Sequence, residues 1–216
     1  VAAQLNPAFD LAGQLADTLS RKTAPIWMDA STAAECRALA EQIGPRLRDD
    51  TGSAATERFT AAQIAKFYRT EPEAYRETKV IHLVSSFMAS LLAGVSAPVD
   101  PGDGAGMNLL NLKTGCWDPE IADAVAPGLR SKLPHAGPAD QIIGTIHPYF
   151  IKYGFSPACQ VAVWSGDNPS SLVGVGATTP GMAVISLGTS DTLFGAMRDF
   201  TTDPDGYGHV FGNPAG

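Results

Sequence analysis

The stretch Val161 to Leu172, which reads VAVWSGDNPSSL, shows most directly how the chain folds. A short apolar run from Val161 to Trp164 ends in the turn-forming residues Ser165 to Pro169. The residues Ser170 to Val173 have the composition of a starting helix. The pattern predicts a strand that turns directly into a helix, with Asp167 in the turn.

An aspartate at this position can have two roles. The backbone N–H groups and the dipole of a helix N-terminus favour the ionised carboxylate, which can then act as a general base. Aspartate is also a preferred helix cap, and spacing alone favours capping as the role of Asp167. The functional interpretation needs support from other residues.

Upstream, short apolar runs alternate with helical patterns. The segment Ala24 to Met28 predicts a strand that leads into a capping box formed by Thr32 and Glu35. A helix should follow to about Leu47. The alternation of strands and helices is typical of an α/β domain built on one parallel or mixed sheet flanked by helices.

The middle of the chain adds helices and one glycine-rich segment. Thr60 and Gln63 form a second capping box, and Ser85 to Leu92 predicts a buried helix that ends at Gly94. Residues 98–108 are rich in Gly, Pro and Asp, so we expect a tight polar loop there, lining a cleft.

A β-hairpin is predicted in the last third of the chain. The apolar runs Ala183 to Leu187 and Thr192 to Ala196 flank the turn Gly188 to Asp191. The glycine would also allow backbone N–H groups and hydroxyls to converge on a phosphate. A hairpin turn explains the same residues equally well, so both interpretations stay open.

Composition excludes several classes of protein. The chain has 216 residues, of which 44% are hydrophobic and 17% charged, as in ordinary globular proteins. It contains 15 Lys and Arg residues and 22 Asp and Glu residues, which gives a formal net charge of -7. Because binding to nucleic acid depends on clustered cations, we expect no nucleic-acid partner.

Hydropathy and cysteine usage indicate a cytoplasmic protein. No apolar run approaches the roughly 20 residues of a membrane span, so we expect no membrane partner. Cys36, Cys116 and Cys159 are odd in number and form no C-x-x-C pair, which suggests reduced thiols. The histidines His82, His135, His147 and His209 lack metal spacing, so no metal ligand is assigned.

Two further residues have an ordinary structural explanation from local sequence. Arg58 could form a surface ion pair with its neighbour Glu57, and Asp29 could belong to the cap region of the following helix. Local sequence alone favours these structural roles.

Five stretches together resemble motifs of the FGGY family of carbohydrate kinases, closest to its xylulokinase branch. They occur in the family's order and are Pro25 to Thr32, Glu57 to Thr60, Asp103 to Leu110, Gly166 to Leu172, and Ser186 to Phe194. The combination of GDNP with SLGTSDT makes a chance match improbable.

The resemblance implies a ribonuclease-H-like fold of the actin/hexokinase type. Residues 1–180 would form the sugar-binding domain without its first strands, and residues 181–216 would begin the nucleotide-binding domain with its first hairpin. The implied reaction is the ATP-dependent phosphorylation of a ketopentose, D-xylulose, to D-xylulose 5-phosphate, with Mg²⁺. A homodimer is compatible with this assignment.

The resemblance also implies roles for individual residues. Asp167 would be the catalytic base that accepts the proton of the attacking sugar hydroxyl, and Asn168 would hydrogen-bond the sugar. Arg58, Asp29 and Asp103 would bind substrate or line the cleft.

The turn made by Gly188, Thr189 and Ser190 would bind the phosphates of ATP. The family's Asp-x-Gly-Thr and Gln-His-Gly words have no counterpart in this sequence, so we interpret it as a portion of a kinase and expect this polypeptide alone to be inactive. The alternatives are a catalytically silent sugar-binding or regulatory module and a kinase for another ketose or polyol.

Overall fold

A computed structural model describes residues 5–188 and 191–215. Its α-helices are α1 (Leu11–Ala16), α2 (Ala33–Ile43), α3 (Arg46–Thr51), α4 (Thr60–Thr70), α5 (Pro72–Glu77), α6 (Val84–Ala93), α7 (Pro101–Ala105), α8 (Pro119–Val125) and α9 (Asp167–Gly174), with 3-10 helices at Leu129–Lys132 and Pro148–Tyr153. The strands are β1 (Leu110–Asn111), β2 (Cys116–Trp117), β3 (Ile142–Thr145), β4 (Gln160–Ala162), β5 (Ala183–Ser186) and β6 (Thr192–Gly195). Among the described helices, none has the length and apolarity needed to cross a bilayer.

The strands pair locally. Within the described residues they form three two-stranded antiparallel sheets, β1 with β2, β3 with β4, and β5 with β6. One parallel bridge joins Val99 to Ala136. We expected one continuous sheet; the described residues instead pair mainly with strands close in sequence, for which loop closure costs least.

The larger core cluster lies where α2, α4 and α8 meet. On α4 the buried residues Ala61, Ile64 and Phe67 are spaced by three, so they lie on one face of the helix. The main buried members of the cluster are Leu39, Leu47, Ile64, Phe67, Val99, Met107, Leu109, Ile121, Val125 and Leu129. Each side chain of this size contributes about 1.5–3 kcal/mol through burial.

A second cluster packs α6 against the β3–β4 pair. Its buried members include Leu91 from α6, Ile146 and Tyr149 between the strands, and Val161 from β4. The Tyr149 hydroxyl donates a 3.2 Å hydrogen bond to the carbonyl of Phe9. This packing fixes β4, the strand that leads to the turn at Asp167.

The first predicted strand is absent. The segment around Ile26 and Trp27 forms a turn, and these side chains are 63% and 68% exposed. The following helix begins after Thr32 as expected, but it ends at Ile43 because Gly44 takes a φ of 68°. The predicted end at Leu47 was therefore too late.

The predicted capping box at Thr32 also does not form. The Thr32 hydroxyl donates instead to the carbonyl of Glu57. Glu35 forms an ion pair with Arg69 of α4, 2.7 Å away. Both side chains join different elements, which spacing in one segment could not reveal.

The two helices predicted in the middle of the chain are present as α4 and α6. α4 begins at Thr60, but its cap residue is Phe59, which makes no side-chain cap bond, so the predicted capping box of Thr60 and Gln63 does not form. Gln63 donates instead to the carbonyls of Asp29 and Glu57.

α5 carries Pro72 in its first turn, and α6 ends at Gly94, which has a left-handed φ of 74°. The helix after Trp117 starts at Pro119 with Asp118 as its cap.

The glycine-rich segment contains the short helix α7, where we expected a loop. Asp100 caps it by accepting hydrogen bonds from the backbone nitrogens of Gly102, at 3.0 Å, and Asp103, at 3.1 Å. Glycine disfavours helix by intrinsic propensity. Here an aspartate cap followed by Pro101 at the first helical position outweighs that preference.

The predicted hairpin is present as β5 and β6, which pair so that Ala183 lies opposite Gly195. Beyond it, the chain returns to the main body. The Val210 nitrogen donates to the Gly52 carbonyl at 2.9 Å, and the Ala139 nitrogen donates to the Pro214 carbonyl at 2.7 Å. Residues after the hairpin therefore contact the region that we assigned to the first domain.

Truncating a core leucine tests this packing. We expect Leu109→Ala to lower the free energy of unfolding by about 2–5 kcal/mol, because the fully buried side chain leaves a cavity. The control Leu19→Ala, at a side chain that is 52% exposed, should cost about 1 kcal/mol or less. Urea unfolding compares the two, and equal losses would contradict the assigned core.

Candidate active site

The turn after β4 presents Asp167 to solvent. Gly166 occupies the cap position of α9 and makes no side-chain cap bond, and Asp167 is the first helical residue. One Asp167 carboxylate oxygen accepts from the backbone nitrogen of Asn168 at 2.8 Å. Both side chains are exposed. The capping interpretation of Asp167 is therefore not supported, and its carboxylate stays accessible beside a helix N-terminus.

The short helix α7 lies against this turn. The Asp100 carboxylate accepts a 2.6 Å hydrogen bond from the Ser165 hydroxyl, in addition to the two backbone bonds within α7. Asp100 is fully buried, and its burial raises its pKa, against the effect of these hydrogen bonds. The turn and the helix are thus joined by a buried carboxylate.

Asp103 contacts the same turn from α7. The Ser85 hydroxyl of α6 donates to one of its carboxylate oxygens. The other oxygen lies only 2.6 Å from the point where a Cβ on Gly166 would stand. The predicted residues Asp103 and Asp167 therefore belong to one cluster.

The environment of Asp103 disfavours ionisation of its carboxyl group. Burial, the dominant cause, and the negative charges of Asp100 and Asp167 raise the pKa of Asp103 to about 6. Its carboxyl is therefore partly protonated near neutral pH, whereas an ordinary aspartate is fully ionised.

Arg58 lies in a separate group of residues. Its guanidinium carbon is 5.9 Å from the centre of the Trp27 ring, and the side chain is exposed. In the described part of the chain it forms no ion pair with Glu57, so the local ion-pair interpretation is not supported. The neighbouring Phe59 ring lies 5.0 Å from the ring of His209.

His209 had no assigned role from the sequence. Its Nδ1 is 3.1 Å from the Ser53 hydroxyl. Burial and the positive charge of Arg58 lower its pKa, so it is neutral at physiological pH. The returning C-terminal segment thus supplies an aromatic and polar neighbour to Arg58, which no local pattern indicated.

Asp29 belongs to the Arg58 group through its backbone. Gln63 donates from Nε2 to the carbonyl oxygens of Asp29, at 2.9 Å, and Glu57, at 3.3 Å. The Asp29 carboxylate accepts from the hydroxyl and nitrogen of Ser31, and these bonds lower its pKa. Asp29 therefore shapes the loop beside Arg58. It does not cap the following helix, because the cap position is Thr32 and the Asp29 carboxylate bonds to Ser31 instead.

The two groups lie near opposite ends of α7. The Asp100 end contacts the Asp167 turn, whereas Met107, just beyond the other end, accepts from the nitrogen of Ala61 at 2.9 Å. A helix of this length spans about 7.5 Å. Among the described residues no direct contact joins Arg58 to Asp167.

The predicted phosphate turn is described only in part. The Gly188 nitrogen donates to the Asp191 carboxylate at 3.1 Å. Thr189 and Ser190 lie outside the described residues. This side-chain bond does not decide between the hairpin and the phosphate-binding interpretations, and the phosphate-binding role stays a prediction.

Sequence reasoning missed the residues that hold the cluster together, namely Ser85, Asp100 and Ser165. Asp100 followed by Pro101 is a helix-start signal that could have revealed α7. The contacts of Ser85 and Ser165 depend on tertiary packing. A surface cleft of about 450 Å³, lined in part by Leu39 and Tyr68, includes none of the predicted site residues.

Comparison with known proteins places this chain in a family. Residues 18–174 match the profile of the N-terminal domain of the FGGY family of carbohydrate kinases. The chain belongs to this family.

Individual relatives narrow the comparison to one branch. The chain is 46% identical to xylulose kinase 2 of Arabidopsis thaliana and 45% identical to the xylulose kinase of Mus musculus, over 97% of its own length in each case. It spans 38% of the length of each relative.

Solved structures agree on the fold. A crystal structure of a xyloylose kinase from Brucella ovis matches with a TM-score of 0.79 and 26% identity, covering 86% of this chain and 38% of the other. A ligand-bound xylulose kinase from Lactobacillus acidophilus matches with a TM-score of 0.80 and 19% identity, covering 87% and 38%. The expected actin/hexokinase-type α/β fold is confirmed, as part of a larger architecture.

The raised pKa of Asp103 predicts a pH-dependent stability. Between about pH 4 and pH 6 the folded chain holds this proton more tightly than the unfolded chain, so the free energy of unfolding falls as pH rises through that window. Asp103→Asn removes the titration while an amide oxygen can still accept from Ser85. We expect the variant to be stabilised relative to the parent at about pH 7.5, with the gain shrinking towards about pH 4.

Urea unfolding at several pH values measures this effect. The exposed residue Asp140 provides the matched control Asp140→Asn, which should show no such pH-dependent gain. A gain for Asp103→Asn that is absent, or that is the same at every pH, would contradict the assigned environment.

The close approach of Gly166 to Asp103 predicts that a larger residue at position 166 lowers the stability of the fold. Its φ of -66° suits any residue, so Gly166→Ala is a purely steric change. The new methyl would meet the Asp103 carboxylate, and we expect a loss of about 1–3 kcal/mol in unfolding free energy. Gly174→Ala, with open space around it, should be neutral or stabilising. Thermal unfolding of both variants checks the difference, which would vanish if the turn were not packed against α7.

Proposed function

We propose that this chain is the sugar-binding part of an ATP-dependent kinase that converts D-xylulose to D-xylulose 5-phosphate. The relatives named xylulose kinase, matched over nearly the whole chain, support the substrate class. The observation that carries the reaction is the exposed Asp167 carboxylate at the start of α9, set beside Asp103.

Asp167 would act as the general base. Phosphoryl transfer depends mainly on positioning and charge neutralisation, with one group orienting the nucleophile. An aspartate with a reference pKa of about 3.9 is a weak base towards a free alcohol. The hydroxyl becomes acidic as its bond to phosphorus forms, so Asp167 can accept the proton late in the transfer.

Other residues would bind the sugar. Asn168 follows Asp167 directly and offers an exposed amide, which can both donate to and accept from hydroxyl groups. Asp103, with its raised pKa, can donate a hydrogen bond when protonated and accept one when ionised. Arg58 and the loop of Asp29 would complete the substrate surface near Trp27.

ATP and Mg²⁺ are the co-reactants that this family assignment implies. Mg²⁺ prefers oxygen ligands and is often held by one or two carboxylates together with substrate phosphates. The carboxylates of Asp167 and Asp103 fit that donor chemistry, although the described residues contain no ready-made cluster of three or more ligating groups. The ion would neutralise charge on the phosphate groups. Gly188, Thr189 and Ser190 would contact those phosphates.

The division into residues 1–180 and 181–216 remains part of this proposal. The hairpin exposes Ile185, Leu187 and Leu193, with 68%, 79% and 73% of their surfaces accessible. Such an apolar hairpin suits cover by further elements of a second domain. The family match to residues 18–174 supports a boundary after α9.

The cellular setting is also proposed. The three cysteines are free, which suits the reducing cytoplasm. A small sugar is the expected partner, and a homodimer is compatible with the assignment.

A kinase assay tests the proposal. In a complete kinase that carries this sequence, ADP release should require D-xylulose, and Asp167→Ala should lower kcat far more than tenfold, because the proton acceptor is lost. Since Asp167 is exposed, the variant should unfold at nearly the parent temperature.

The outcomes separate the alternatives. Activity of Asp167→Ala within about tenfold of the parent, or about 1.4 kcal/mol in barrier height, would contradict the catalytic role. If the kinase phosphorylates another ketose or polyol faster than D-xylulose, a panel of these compounds identifies that substrate. Sugar binding without any turnover would instead identify a silent binding module.

A further inference from the structure

We infer that the hydrogen bond from Ser165 to Asp100 positions the catalytic turn, and that Ser165 and Asp100 are positioning residues for the reaction. This inference rests on the proposed role of Asp167. Neither residue was assigned a function by the sequence motifs, and neither needs to touch the substrate.

The turn has few other attachments to the rest of the protein. The last backbone hydrogen bond that ties it to a neighbouring segment joins the Val163 nitrogen to the Gln141 carbonyl at 2.9 Å. Beyond it, the Ser170 nitrogen bonds to Gly166 within the turn itself. Among the described residues, the hydrogen bond that links the segment between Val163 and Ser170 to another element is therefore the side-chain bond from Ser165 to Asp100.

Asp100 is a rigid anchor for this bond. Its side chain is fully buried and also accepts from two backbone nitrogens of α7, at 3.0 Å and 3.1 Å. A hydroxyl that donates to an ionised carboxylate makes a stronger bond than one between neutral groups. Removing that donor would leave this buried carboxylate oxygen with only the 3.0 Å bond from the Gly102 nitrogen, one of its two donors in the described part of the chain.

The surrounding packing keeps α7 close enough for the bond. A Cβ on Gly102 would lie 2.9 Å from the Ser165 hydroxyl oxygen and 3.0 Å from the ring of Pro169. Glycine at this position therefore permits the close approach. Contacts to Ser165 and Pro169 bracket Asp167 in the chain, so a shift of this interface moves the catalytic carboxylate.

Ser165→Ala tests the inference in the complete kinase. We expect kcat to fall about tenfold or more, because misplacing a reacting group by about 1 Å can cost as much as a hundredfold. The KM values for D-xylulose and ATP should change by less than about twofold, since the proposed binding residues are untouched. Rates are expressed per folded enzyme, determined from thermal unfolding.

Two companion variants separate positioning from a general structural role. Ser165→Thr retains the hydroxyl and should restore kcat to within about threefold of the parent. Ser170→Ala removes an exposed serine of α9, close to Ser165 in the chain, and should match the parent. If Ser165→Ala does not fold, Ser165→Cys replaces it in the test. A thiol is a weaker donor than a hydroxyl, so kcat should fall, but by less than the loss expected for Ser165→Ala, with KM unchanged.

Each outcome decides between the two hypotheses. If Asp167→Ala remains active, the proposed function fails. If Asp167→Ala is inactive while Ser165→Ala, or Ser165→Cys in its place, keeps the parental kcat, only the positioning inference is overturned. The inference is also overturned if Ser165→Thr is as impaired as Ser165→Ala.

Discussion

A buried carboxylate organises the candidate active site. Asp100 begins α7, receives the hydroxyl of Ser165 and thereby joins a glycine-rich helix to the turn before α9. A buried charge of this kind is tolerated only when hydrogen bonds satisfy it. The requirement for these donors explains why the helix and the turn, far apart in sequence, meet at a defined distance.

Glycines make that meeting possible. Gly102 and Gly166 each lie where a side-chain carbon would collide with polar atoms across the interface. As a result, Asp103 packs against the turn, where the negative charges of Asp100 and Asp167 raise its pKa. The same close packing that holds the Asp167 turn against α7 also makes ionisation of Asp103 unfavourable.

The proposed substrate surface combines segments that are distant along the chain. The Arg58 loop is supported by Gln63 from α4 and by His209 from the returning C-terminal segment. α7 lies between that loop and the Asp167 turn. The proposed substrate surface therefore depends on the segment of α7, which bonds the Asp167 turn at Asp100 and, through the Met107 carbonyl beyond its other end, the Ala61 nitrogen of α4.

The sequence by itself determined the family, most helix starts, the β5–β6 hairpin and the position of Asp167 between a strand and a helix. These are recorded in local patterns, such as capping residues, proline placement and the GDNP and SLGTSDT words. It did not determine α7 or the exposed turn around Trp27, because glycine propensity and apolar content pointed to a loop and a strand. The tertiary structure alone decided the contacts of Asp100 with Ser165 and of Phe59 with His209, since hydrogen bonds and ring contacts between distant segments depend on how the whole chain packs.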